Sequence, residues 1–170
     1  MLGVVLLYVG IVLISNGMAR LFNINDKSVA IMNIFTGGLS VICNIIVLVQ
    51  GQFAGKPMNF YSAGTGLLFG FTYLYVAFNT LLKLDTRLYG WYSLFVAINS
   101  IPAGILCFKH FGGDWRMGII WFLWGILWLT GFIECVLKKP LGKFVGYLGV
   151  FEGIVTAWIP GFLMLVSLWN

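Results

Sequence analysis

Residues 116–137 read RMGIIWFLWGILWLTGFIECVL, with Arg116 and Glu134 as the only charges. A bilayer crossing takes about 20 mostly apolar residues in helical form, and this stretch meets that requirement. Five more stretches read the same way: 2–21, 30–50, 60–82, 91–108 and 144–169. Lipid cannot satisfy open strand edges, and these runs lack the polar alternation of a barrel strand. The predicted fold is therefore an all-α integral membrane protein, a single transmembrane domain over 1–170. The connections 23–29, 51–59, 83–90, 109–115 and 138–143 are short. Neighbouring helices must then run antiparallel, giving three helical hairpins and almost nothing outside the membrane.

Composition agrees. Hydrophobic residues make up 61% of the chain and charged ones 9%, with mean hydropathy +0.99, where a soluble domain carries about a quarter charged residues. Arg20, Lys27, Lys83, Arg87, Lys138, Lys139 and Lys143 flank the loops after the first, third and fifth spans, against Lys56, Lys109 and Arg116 after the second and fourth. The positive-inside rule puts the first group in the cytoplasm and both termini outside. The net charge of +5 thus reflects topology; no basic stripe with interleaved aromatics exists outside the spans to bind nucleic acid. Met1 leads straight into apolar residues without a basic leader or a small-x-small cleavage site, so the first span is expected to be retained. Cys43, Cys107 and Cys135 have no paired spacing and the chain has one histidine, His110. They read as small buried hydrophobes, and neither metal nor cofactor is expected.

Polar residues close apolar runs in a faintly threefold way: Asn16, Asn79 and Glu134 in odd spans, Asn44, Asn99 and Glu152 in even ones. Such spacing suggests a duplicated hairpin. Gly3, Gly10 and Gly17 form a stripe on the first span, and Gly66-xxx-Gly70 and Gly149-xxx-Gly153 invite close helix contact.

Glu134 and Glu152 are the acids inside predicted spans. A carboxylate in lipid needs a partner, a cavity or water. Glu134 precedes Lys138 by four residues and reads as a helix-end ion pair. Glu152 lies deeper and reads either as a group in an aqueous path or as an acid bonded to Asn44 or Asn99. Trp121, Trp124 and Trp128 share one helix face, as do Phe69 and Tyr73. Trp91, Tyr92, Trp115 and Trp169 suit the interfacial aromatic belt, but Trp124 and Trp128 lie too deep for it. They either pack or wall a slot for a flat neutral solute, stacked on the indoles and bonded at its edge. Such a slot would reject ions, whose hydration shell it cannot replace. His110, near Lys109 and Asp114, reads as a solvated side chain.

The segments MLGVVLLYVGIVLISNG (1–17), TGLLFGFTYLY (65–75), WYSLFVAIN (91–99), WGILWLTGFIE (124–134), PLGKF (140–144) and EGIVTAWIP (152–160) closely resemble the AmiS/UreI family of bacterial urea and short-chain amide channels. The resemblance runs through all six spans and lapses in the outward loops. It implies a six-helix protomer with its own conducting path, six protomers forming a ring in the bacterial cytoplasmic membrane. Carried over where motifs match, the pore lining would be Leu2, Leu6, Val9, Leu13 and Asn16, then Phe69 and Tyr73, then Trp121, Trp124, Leu127 and Trp128, and finally Glu152. Acid-gated members carry long histidine-rich outward loops, whereas these are short.

The expectation is a passive urea channel, not strongly acid-gated, supplying a cytoplasmic urease. An amide channel serving an amidase, a proton-coupled carrier using Glu152 and a purely structural assembly remain alternatives. An intramembrane enzyme is disfavoured, because neither GxSxG nor HExxH occurs.

Overall fold

A computed structural model describes residues 1–109 and 113–169; His110 lies outside the described residues. The chain forms six long helices: α1 (Leu2–Phe22), α2 (Asp26–Ala54), α3 (Pro57–Leu82), α4 (Arg87–Lys109), α5 (Trp115–Cys135) and α6 (Lys143–Leu165), each long and apolar enough to cross a membrane. No strand occurs among the described residues. The helix ends follow capping rather than hydropathy, which is why α2 starts four residues before the predicted 30. The Asn25 side chain accepts a hydrogen bond from Lys27 N at 2.9 Å, and Gly55 stops the helix in the left-handed region at φ 59°. At the other extreme α6 ends at Leu165, before the predicted 169. Ser167 turns the chain at φ 59°, and the Trp169 indole N–H donates to Asp114 Oδ2 at 2.8 Å.

Close packing joins α2 to α3, α4 to α5 and, closing the bundle, α6 to α1. Glycines lie at each seam. Gly70 faces Val41, Gly131 faces Ser93, and Gly17 lies so near the Gly146 carbonyl and Val150 that a methyl group there would meet both within 3 Å. Small-residue contacts supply van der Waals packing where lipid offers no hydrophobic drive.

The threefold pattern is present, in a different register from the predicted one. In the even helices the buried positions Ala30, Asn33, Thr36 and Ser40 keep the spacing of Gly90, Ser93, Val96 and Ser100, and of Gly146, Gly149, Glu152 and Thr156. Glu152 therefore stands in step with Thr36 and Val96. Asn99 is no equivalent of it: half-exposed, it donates back to Phe95 O at 2.8 Å. In the odd helices Val9-Gly10-Leu13, Phe69-Gly70-Tyr73 and Trp124-Gly125-Trp128 correspond. There Ala19, not Asn16, is in step with Asn79 and Glu134.

After Thr156 the next buried position of α6 is Ala157 and then Pro160, whereas Ala103 follows Ser100 directly in α4. The extra residue is wound into a π-helical segment, Gly153–Trp158, where Ile159 N–H reaches back to Ile154 O. Pro160 sits just beyond, without an N–H to give.

Candidate functional site

The bulky members of the threefold set meet at the centre of the bundle. Phe69, from α3, is held edge-on by three indoles of α5. Its ring centroid lies 4.6 Å from Trp124, 4.8 Å from Trp128 and 5.8 Å from Trp121, with interplanar angles of 79°, 61° and 61°. Trp121 and Trp124 meet edge-to-face at 5.2 Å. All four are buried, as is Tyr73. Such edge-to-face contacts are worth about 0.5–1.5 kcal/mol each beyond burial.

Hydroxyl groups fix the indoles. Trp124 Nε1–H donates to Thr156 Oγ1 at 2.8 Å, and Trp128 Nε1–H donates to Thr72 Oγ1 at 3.1 Å. The threonines donate in turn to helix carbonyls, Thr156 to Glu152 O and Thr72 to Leu68 O, each at 2.6 Å. Tyr92 donates to the same Leu68 carbonyl at 2.6 Å. Its hydroxyl is thus tied to α3. With their N–H groups engaged, the indoles offer faces and edges to whatever enters.

A cavity of about 370 Å³ opens below these rings. Its inner end is walled by Phe69, Trp124, Trp128, Tyr73, Leu13 and Leu127, its flank by Asn16 and Asn33, and its mouth by Arg20, Asp26 and Glu134. The mouth carries the positive-inside signature and is the cytoplasmic end.

Seven of the predicted residues therefore share one cavity: Leu13, Asn16, Phe69, Tyr73, Trp124, Leu127 and Trp128. Trp121 packs edge-on behind them. Leu6 and Val9, 2% and 0% exposed, pack in the same apolar core on the outward side, and Leu2 is exposed at the outer helix end. Glu152 is fully buried and stands off the cavity wall, and its two carboxyl oxygens accept no hydrogen bond among the described residues. The expected bonds to Asn44 or Asn99 are absent: Asn44 donates to Ser40 O at 2.7 Å, held there by the closeness of Gly66.

Glu134 finds a different partner from the predicted Lys138. It accepts from both terminal guanidinium nitrogens of Arg20, Nη1 at 2.8 Å and Nη2 closer still. It also accepts from Leu141 N at 2.9 Å, while Arg20 Nε donates to Gly142 O at 2.7 Å. The helix ends at Cys135, so Lys138, in the left-handed region at φ 56°, lies beyond the helical turn that an i, i+4 pair with Glu134 would need. A planar bidentate pair across α1 and α5 is a firmer link than a local lysine contact.

Asn33, Thr72 and Thr156 are the residues that sequence reading passed over, and Arg20 was read for topology alone. Polar side chains inside apolar runs are the signal that flags them. The cysteines are free, Cys43 and Cys107 buried, and no acid–histidine–cysteine group suited to a metal occurs among the described residues.

A six-span helical bundle with an aromatic plug above a polar-mouthed vestibule defines a membrane protein that handles small solutes. The chain belongs to the AmiS/UreI family of transporters, whose model matches residues 1–168. It is 52% identical, over 99% of this chain and 100% of the other, to the acid-activated urea channel of Helicobacter pylori strain ATCC 700392 / 26695. A protein of Mycolicibacterium smegmatis provisionally described as an amidate substrates transporter is 38% identical over 99% of this chain and 78% of its own length. The crystal structure of the urea channel from Helicobacter pylori superposes with a TM-score of 0.91 at 54% identity, covering 100% of both chains.

Proposed function

We propose that this protein is a passive channel that conducts urea through the bacterial cytoplasmic membrane toward a cytoplasmic urease. Six copies would form a ring with one path per protomer. The observation that carries this reading is the cavity of about 370 Å³ ending on Phe69, Trp124 and Trp128. Its dry inner end suits a flat neutral solute and gives an ion nothing in exchange for its water. Leu2, Leu6 and Val9 would line the outward approach, and small shifts of Phe69 between the indoles would open the slot. Glu152 would stand behind the wall rather than line it. The path needs no cofactor and no chemical step.

Weak dependence on acid is part of the proposal. The alignment with the acid-activated relative spans 197 positions, against 170 residues here, and this chain contains a single histidine. Stopped-flow urea uptake by proteoliposomes at pH 5 and pH 7.5 tests both points. Comparable uptake at the two values is expected; a steep rise at pH 5 overturns the gating claim, and no uptake at either overturns the channel.

The similarity to the Mycolicibacterium amidate transporter favours a second reading, short aliphatic amides, which share the planar neutral frame of urea. Acetamide uptake exceeding urea uptake in the same vesicles would select it. The unpartnered Glu152 carboxyl favours a proton-coupled carrier instead, recognised by accumulation that a protonophore abolishes.

A further inference from the structure

Two carboxamides on different helices face each other across the flank of the cavity. Asn33 Nδ2 donates to Asn16 Oδ1 at 2.7 Å and Asn16 Nδ2 donates to Asn33 Oδ1 at 3.2 Å, a reciprocal amide pair. The two partners are not equal. Asn33, on α2, is 0% exposed and its Nδ2 also donates to Val29 O at 3.0 Å. Both of its N–H bonds are consumed, and the Val29 carbonyl dictates which way its amide points. Asn16, on α1, is half-buried and lines the same cavity. After pairing it retains one N–H and one carbonyl lone pair. The two diverge, because the remaining N–H lies trans to the carbonyl, and each is left for a single hydrogen bond.

We propose that Asn16 is an inner recognition station for the solute and that Asn33 is the positioning residue that fixes its orientation. The remaining N–H of Asn16 donates a single hydrogen bond to the carbonyl oxygen of a urea-type or primary-amide solute. Leu13, Tyr73 and Trp128 bound the same space and hold the solute flat. This inference rests on the channel reading: the rings select planarity, and Asn16 adds discrimination by one hydrogen bond to the solute's acceptor.

Urea and thiourea have nearly the same shape, but sulfur is the poorer acceptor, so their permeability ratio reads the station directly. Being a ratio within one vesicle batch, it does not depend on how much variant inserts. The experiment measures urea and thiourea uptake in proteoliposomes of wild type, Asn16→Leu, Asn33→Leu and the double variant; Asn33→Thr, too short to reach Asn16, replaces Asn33→Leu if that chain fails to insert. One neutral hydrogen bond corresponds to a loss of about fivefold in the ratio. Both single variants are expected to show it, and the double variant no more, because the two residues act as a unit. An unchanged ratio in the Asn33 variant, or an equal fall in both fluxes, overturns the positioning role, as does additivity in the double variant. Wild-type vesicles that pass neither solute would instead sink the channel reading itself.

Discussion

The two ends of the cavity are held by different forces. At the inner end Phe69, Trp124 and Trp128 meet by ring edges, and their N–H groups are bonded to threonines. At the mouth Arg20, Glu134 and the 141–142 backbone form a charged knot beside water. Shape can be read only where water is excluded and polar groups are already satisfied. Charge is affordable only where solvent shares its cost. Under the proposed function, selection belongs to the apolar end and structural latching to the charged one.

Four experiments sharpen or break that contrast. Trp128→Ala should alter urea flux, or its ratio to thiourea, by on the order of tenfold or more, and Trp91→Ala, exposed on α4, should do little in the same vesicle assay. Equal effects would mean the rings only pack. Arg20→Ala should lower the thermal midpoint in detergent, by about 1–2 kcal/mol of stability since the pair is partly exposed. Lys138→Ala should leave the midpoint unchanged; the reverse order would restore the local pairing. Thr156→Val keeps the volume and strands the Trp124 N–H, costing about 1–3 kcal/mol; its mark should be a shifted Trp fluorescence spectrum together with slower uptake.

The smallest effect is expected in the loop between α3 and α4. Hydrogen bonds from Arg87, at 2.8 and 2.5 Å, hold the Asp85 carboxyl down from its usual 3.8 to about 2. A lowered carboxyl stabilises the fold above its unfolded value, and that contribution is lost as pH falls from about 3.8 toward about 2. Asp85→Asn should therefore leave any difference in uptake between pH 5 and pH 7.5 unchanged. A changed difference would show that this loop senses pH in the working range.

Much of the site was legible because the α5 tryptophans recur at helical spacing, which puts them on one face whatever the neighbours do. Phe69 and Tyr73 were legible for the same reason. The register of the repeat was not, because polar residues are visible in a sequence while buried glycines and serines are not; Asn99 drew the eye, and Val96 holds the equivalent place of Glu152. Asn33 escaped notice because it lies three residues into a predicted span, where a polar residue looks like a helix end. The partner of Glu134 escaped because Arg20 is 114 residues away.

By itself the amino-acid sequence determined six helices, their alternation across the bilayer and the face on which the aromatic rings lie. Those follow from hydropathy, loop charge and a fixed helical period, all local quantities. The tertiary structure alone decided that α6 closes on α1, that Arg20 meets Glu134, that Glu152 finds no hydrogen-bond partner among the described residues and that Asn33 pairs with Asn16. Each of these depends on how helices distant in the chain turn toward one another, which is set by the close approach of small residues rather than by any local preference.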